Sequence, residues 1–256
     1  MRIALGALAF GLLVSLAANA WLLRRVFEQY LVAQEVRLDP VGLAQHPLSA
    51  EAKPAAAHGR RVVFFGDSRA HAWTSAAQLP GFDLVDRGIG RETSAQARER
   101  FERHVAPLAP DVVVIQVGVN DLKLVSLRPE LRSQIVDACV ENIEAIVARA
   151  EALGAGVVLS TVFPVGEPPP FLRPFASGGT PEAIEAVNDR LRALAGPRVV
   201  VLDAATLLSD PQGGIAPAYA HDWLHIAPAG YAALNGDLVR AVESVNGPGG
   251  SVEKRP

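Results

Sequence analysis

Arg61-Val62-Val63-Phe64-Phe65-Gly66-Asp67-Ser68 is the stretch that decides the fold. An unbroken β-branched and aromatic run is how a strand reads when both its faces are covered, as in a parallel sheet. The run delivers a small turn residue, a carboxylate and a hydroxyl to one point, and in open α/β sheets ligands gather at the carboxyl ends of the strands. Ser68 stands at such an end. A serine hydroxyl alone is a weak nucleophile, so chemistry there needs a histidine to take its proton, a carboxylate to orient that histidine, and donors for an oxyanion.

Outward from this strand, short apolar runs recur at 61–66, 83–87, 111–117, 156–161 and 199–203, separated by helical patterns. The alternation predicts a parallel sheet with helices on both faces. Thr93-Ser94 offers N-caps for a helix over 95–105, Gly154 ends one over 129–153, and helices over 181–195 and 228–242 each begin with proline. Residues 164–179, with Pro168-Pro169-Pro170 and Gly178-Gly179, match no element and read either as a substrate loop or lid, or as a rigid connector.

A chain of 256 residues, 50% hydrophobic and 20% charged, holds one sizeable core plus appendages. The net charge of -3, without a Lys/Arg block in the main body, gives no reason to expect nucleic acid as a partner. Cys139 is the single cysteine; it has no internal disulfide partner and is expected buried and inert, and no Cys/His cluster has zinc-ligand spacing.

Residues 3–23 are apolar except for Ser15 and Asn19, long enough to cross a bilayer, and are flanked by Arg2 and Arg24-Arg25. Ala18-Asn19-Ala20 resembles a cleavage site, so a removed signal competes with a retained anchor. The anchor is favoured because the apolar run continues through Trp21-Leu22-Leu23, and Trp21 suits a membrane interface. The expected organisation is an anchor or signal over 1–25, a juxtamembrane helix and linker over 26–59, a catalytic domain over 60–245, and a disordered tail over 246–256. The catalytic domain is expected outside the cytoplasm, in the periplasm, and secreted if the signal is cleaved, although Arg24-Arg25 pull against this orientation.

Two further segments bear polar groups. Gly118-Val119-Asn120-Asp121 follows the third strand, so Asn120 either points its amide at a substrate over Ser68 or caps the next segment. In Asp222-Trp223-Leu224-His225 one loop can present a carboxylate and an imidazole together, with Asp222 accepting from one ring nitrogen while the other faces Ser68. His221 is the rival base, but the side chains of neighbours in an extended stretch point apart. Asp67 is expected to fix the turn carrying Ser68 rather than to ligate a metal. Trp73 is expected to pack under its helix, the alternative being a wall of an acyl pocket. Arg69 reads as a solvent-facing helix residue or as a contact for a substrate anion, and His71 and His104, with no charge partner at diagnostic spacing, as surface or boundary residues.

Gly66-Asp67-Ser68, the segment from Asp86 to Thr93, Gly118-Val119-Asn120-Asp121 and Asp222-Trp223-Leu224-His225 together resemble the SGNH, or GDSL-type, hydrolase family across roughly residues 61 to 243. The resemblance implies a three-layer α/β/α, flavodoxin-like fold with about five parallel strands and ester hydrolysis through an acyl-enzyme, with no cofactor and no metal. It implies Ser68 as nucleophile, His225 as general base and then acid, Asp222 as its orienting partner, and the Ser68 N–H and Asn120 side chain as oxyanion donors. Where the family has a glycine as third donor this chain has Arg91, and Asp86 stands at the place of the family's asparagine. If that turn needs φ > 0, either Arg91 adopts it at about 1 kcal/mol or more, or Gly90 absorbs it, so Gly90 and Arg91 are both candidates for the oxyanion hole. The substrate is expected to be a small-molecule, glycan or lipid ester. A membrane-tethered binding module of the same fold without turnover is the alternative.

Overall fold

The computed structural model describes residues 2–46, 59–173 and 178–245. Contacts divide the chain into two units, Met1–Ala44 and Gln45–Pro256. The first is dominated by α1 (Arg2–Leu38). At about 1.5 Å per residue a helix of 37 residues is about 55 Å long, nearly twice the roughly 30 Å hydrocarbon core of a bilayer. Leu8, Phe10, Leu13, Trp21 and Leu23 are exposed around it, and by length and composition it can cross a membrane. Beyond the apolar run, Arg24 and Arg25 pair with Glu28 one turn on. The Asp39 carboxylate then accepts from the Leu43 and Ala44 amides and turns the chain.

The second unit is built on five parallel strands: β1 (Arg60–Gly66), β2 (Phe82–Gly88), β3 (Val112–Gln116), β4 (Gly156–Ser160) and β5 (Val199–Leu202). Their order is β2-β1-β3-β4-β5, the flavodoxin-like order, with the chain reversing direction of travel across the sheet at β1 and β3. Each strand lies within two residues of its expected run. Alternate side chains serve opposite layers, as a pleated strand requires. Val63, Phe65, Val113, Ile115, Val157 and Leu159 pack against α3 (Ser94–His104), α5 (Arg132–Ala152) and α6 (Thr180–Arg192). Val62, Phe64, Val112, Val114 and Val158 pack against α2 (Ser68–Ala76), α7 (Ala204–Leu208) and α8 (Pro228–Val245). The three layers of the expected fold are therefore present, and Cys139 is buried within the first helical layer, where desolvation pushes its thiol pKa up.

The departures are local. Residues 129–131 form a 3₁₀ turn ahead of α5, and α4 (Val119–Leu122) and α7 are too short to leave a periodic trace in sequence. Residues 164–169 carry no regular element. The expected linker lies mostly outside the described residues, as does the tail over 246–256. The chain leaving β4 is held by a buried asparagine: Asn188 Oδ1 accepts from Val162 N at 2.7 Å and Asn188 Nδ2 donates to Val162 O at 3.0 Å. Asn188→Ala would leave both main-chain groups unpaired in the interior, so it should cost about 2 kcal/mol and lower Tm by several degrees in a thermal melt.

Candidate active site

The end of β1 turns sharply because residue 66 is glycine. Its φ is +146°, and a Cβ there would lie 1.8 Å from Gln116 O on the neighbouring strand. No other residue fits. Asp67 then caps α2, its Oδ1 accepting from Arg69 N at 2.9 Å, so Ser68 becomes the first helical residue with its own N–H unused by the helix. Asp67 is wholly buried; desolvation pushes its carboxyl up to about 6 against the pull of the Arg69 guanidinium and amide. It fixes the turn, as expected.

The loop before α8 is folded back by its own carboxylate. Asp222 Oδ1 accepts from Leu224 N and His225 N, both at 2.7 Å, an Asx turn that lays the imidazole over the same side chain. Asp222 Oδ2 then lies 2.9 Å from His225 Nδ1, and His225 Nε2 lies 3.2 Å from Ser68 Oγ. Partial burial would raise the Asp222 pKa, but the hydrogen bonds from the His225 ring and the two amides outweigh it and hold the carboxyl below its ordinary value. With Nδ1–H given to this carboxylate, the Nε2 lone pair faces the Ser68 hydroxyl and can take its proton. His221 is exposed and joins this loop only through its amide, which donates to His225 O at 3.0 Å.

Arg69 corrects the sequence reading. It neither faces solvent nor lines the site; it is 0% exposed. Its guanidinium donates to Phe163 O at 2.9 Å, to Pro164 O at 3.2 Å and, from two nitrogens, to Leu224 O. These carbonyls belong to the chain leaving β4 and to the residue before His225, so Arg69 ties three segments together directly under the serine. Helical geometry turns residue 69 inward, and the five N–H donors of a guanidinium match three converging carbonyls. Trp73, also on α2, packs among Phe64, Phe163 and Tyr231, which agrees with the packing role.

The turn after β2 supplies the other wall. A Cβ built on Gly90 would lie 4.0 Å from Ser68 Cβ, so this turn runs beside the hydroxyl. Arg91, not Gly90, adopts the left-handed conformation, with φ 69°. The strain falls on a residue with a Cβ, at roughly 1 kcal/mol. Arg91→Gly should therefore raise stability by about 0.5–1 kcal/mol, visible as a rise in Tm of a few degrees at most. Among the described residues the N–H groups of Ser68 and Arg91 have no hydrogen-bond acceptor. Below the turn, Glu92 and Arg100 form a buried bidentate pair at 2.6 Å, and Arg100 Nη2 also donates to Gly66 O and Arg87 O. Asn120 Nδ2 donates to Glu92 O at 2.9 Å while its Oδ1 accepts from Lys123 Nζ at 2.7 Å, leaving one amide hydrogen unassigned beside the turn.

Of the two histidines read as surface or boundary residues, one is so placed and one is not. His71 is exposed but has a charge partner, Asp86, with Nδ1 2.5 Å from Oδ2. His104 is 2% exposed rather than superficial, because the inner stripe of α3 that carries Arg100 and Phe101 also carries it. Sequence reasoning passed over Arg100, Glu92, Asn188 and Lys123. An isolated polar residue inside an apolar helical stripe was the signal for Arg100 and Asn188; the partners of Glu92 and Lys123 had none. Among the described residues no group of three or more His, Cys, Asp or Glu side chains is set to hold a metal ion.

A flavodoxin-like sheet with serine, histidine and aspartate meeting at the carboxyl edge defines a hydrolase of the SGNH class. The chain belongs to the GDSL-like lipase/acylhydrolase family, whose model matches residues 55–233. Among solved structures it resembles a GDSL-like lipase from Bacteroides thetaiotaomicron, at 25% identity over 78% of this chain and 95% of that one, with a TM-score of 0.62. An acetylxylan esterase from Geobacillus stearothermophilus, solved as a catalytic mutant, aligns at 18% identity over 74% and 96% with a TM-score of 0.52. At that identity the second likeness speaks for the fold alone. No curated protein matches the sequence.

Proposed function

We propose that this protein hydrolyses a carboxylic ester through an acyl-enzyme on Ser68. The observation that carries the reading is the unbroken relay from Asp222 Oδ2 through His225 to Ser68 Oγ. His225 Nε2 accepts the hydroxyl proton as Ser68 Oγ bonds to the ester carbonyl carbon. The negative charge then develops on the carbonyl oxygen, within reach of the Ser68 and Arg91 N–H groups and the Asn120 amide. Protonated His225 gives its proton to the departing alcohol, and the acyl group stays on Ser68. Water, deprotonated by His225, attacks that acyl group and frees the acid and the serine. Asp222 stabilises the imidazolium in both halves.

The complete relay favours turnover over a binding module of the same fold. A fluorophosphonate probe should label Ser68 in the native chain and fail to label Ser68→Ala; an unlabelled wild-type protein would contradict the assignment.

Residues 3–23 are proposed as a retained membrane anchor with the hydrolase domain outside the cytoplasm, supported by the length and apolar surface of α1. The full chain is expected in the membrane fraction after a high-salt or carbonate wash, and a chain lacking residues 1–38 in the soluble one. Release of the full chain by the wash would contradict the anchor.

A further inference from the structure

Two cations stand on the segments that frame Ser68, and neither has a carboxylate partner among the described residues. Arg91 is exposed and held in the left-handed conformation. Lys123 is half-buried, and its ammonium is held only by Asn120 Oδ1. The segments are stapled together: Asn120 donates to Glu92 O, and Ser94 N and Oγ donate to the Asp121 carboxylate at 2.9 and 2.6 Å. Arg91 and Lys123 are thus kept near one another at the oxyanion turn. Burial lowers the Lys123 pKa, and the charges of Arg91 and Arg69 lower it further against Asp67 and Asp121. Asp67 attracts Lys123 electrostatically, but its carboxylate is buried and accepts from the Arg69 amide, with no hydrogen bond to Arg91 or Lys123 among the described residues. A positive spot on a chain of net charge -3, maintained at the cost of a strained arginine, points to a ligand rather than to stability.

We propose that Arg91 and Lys123 form a subsite for an anionic group, carboxylate or phosphate, carried by the ester substrate. This rests on Ser68 being the nucleophile. A charged group bound beside the oxyanion turn gains charge-assisted hydrogen bonds, and no covalent step is involved. The half-exposed setting keeps the effect moderate.

The test measures kcat/KM of the full chain in detergent on pairs of esters matched apart from the anionic group. Mono-p-nitrophenyl glutarate against p-nitrophenyl valerate places a carboxylate on the acyl side. The acetate esters of 3-hydroxybenzoate and of its methyl ester place it on the alcohol side, and 3-acetoxyphenyl phosphate replaces it with phosphate. The wild type should prefer the anionic member on one side. Arg91→Gly and Lys123→Gln should each lower that preference about five- to tenfold, Arg91→Glu should reverse it, and added salt should weaken it. Using the ratio removes any general loss from disturbing Asn120. A flat ratio in an enzyme that turns over both esters and labels at Ser68 overturns the subsite alone. Failure of both turnover and labelling overturns the Ser68 assignment, and the subsite with it.

Discussion

Ser68→Ala is expected to lower kcat on p-nitrophenyl acetate by about 10⁴- to 10⁶-fold while moving Tm by no more than a few degrees. The size follows from the relay acting as one unit. Without Oγ, 3.2 Å from His225 Nε2, the base has no hydroxyl to deprotonate, and only binding and oxyanion donors remain. Stability is spared because Ser68 is partly exposed and its position is set by Gly66 and Asp67, which the substitution leaves alone. An active Ser68→Ala enzyme would remove the assignment. The same relay fixes a pH response. Activity should fall on acidification because a protonated imidazole cannot accept the Ser68 proton, while Asp222, whose pKa is depressed, stays ionised as the pH drops and does not set that acid limb. Asp222→Asn should flatten or displace that limb.

Arg69→Met is expected to destabilise the protein by about 3–5 kcal/mol and to reduce kcat even where it remains folded. Three carbonyls, of Phe163, Pro164 and Leu224, lose their donors in the interior, and Asp67 loses the charge that offsets its burial. Leu224 precedes His225, so releasing its carbonyl loosens the imbalance-sensitive distance between imidazole and hydroxyl, and positioning errors of this kind are costly in rate. Arg69→Lys should rescue little, since one ammonium cannot serve three carbonyls with the fixed fork of a guanidinium. Wild-type Tm and kcat in Arg69→Lys would show that the staple is dispensable.

Much of the fold could be read from sequence because strands buried on both faces must be apolar throughout, as at Val62-Val63-Phe64-Phe65, and because helices carry local punctuation such as the Thr93 cap and Pro228. The candidate site was legible to the extent that its geometry is local: Asp222 and His225 are three residues apart in one loop. Arg69 misled because a helical arginine is usually solvated, and only the convergence of carbonyls from residues 163, 164 and 224 makes a buried one tolerable. The resting place of strain at Arg91 rather than Gly90 was equally hidden, since two adjacent residues can each close a turn and long-range contacts choose between them.

Sequence by itself determined the parallel sheet, the strand end at Ser68 and the Asp222–His225 pair, since burial and loop closure act over neighbouring residues. Tertiary structure alone decided that His225 meets Ser68 across 157 positions, that Arg69 is the buried staple beneath them, and that Asn120 ties the Lys123 segment to the turn at Glu92, because those juxtapositions are made by packing between segments that carry no mark of one another.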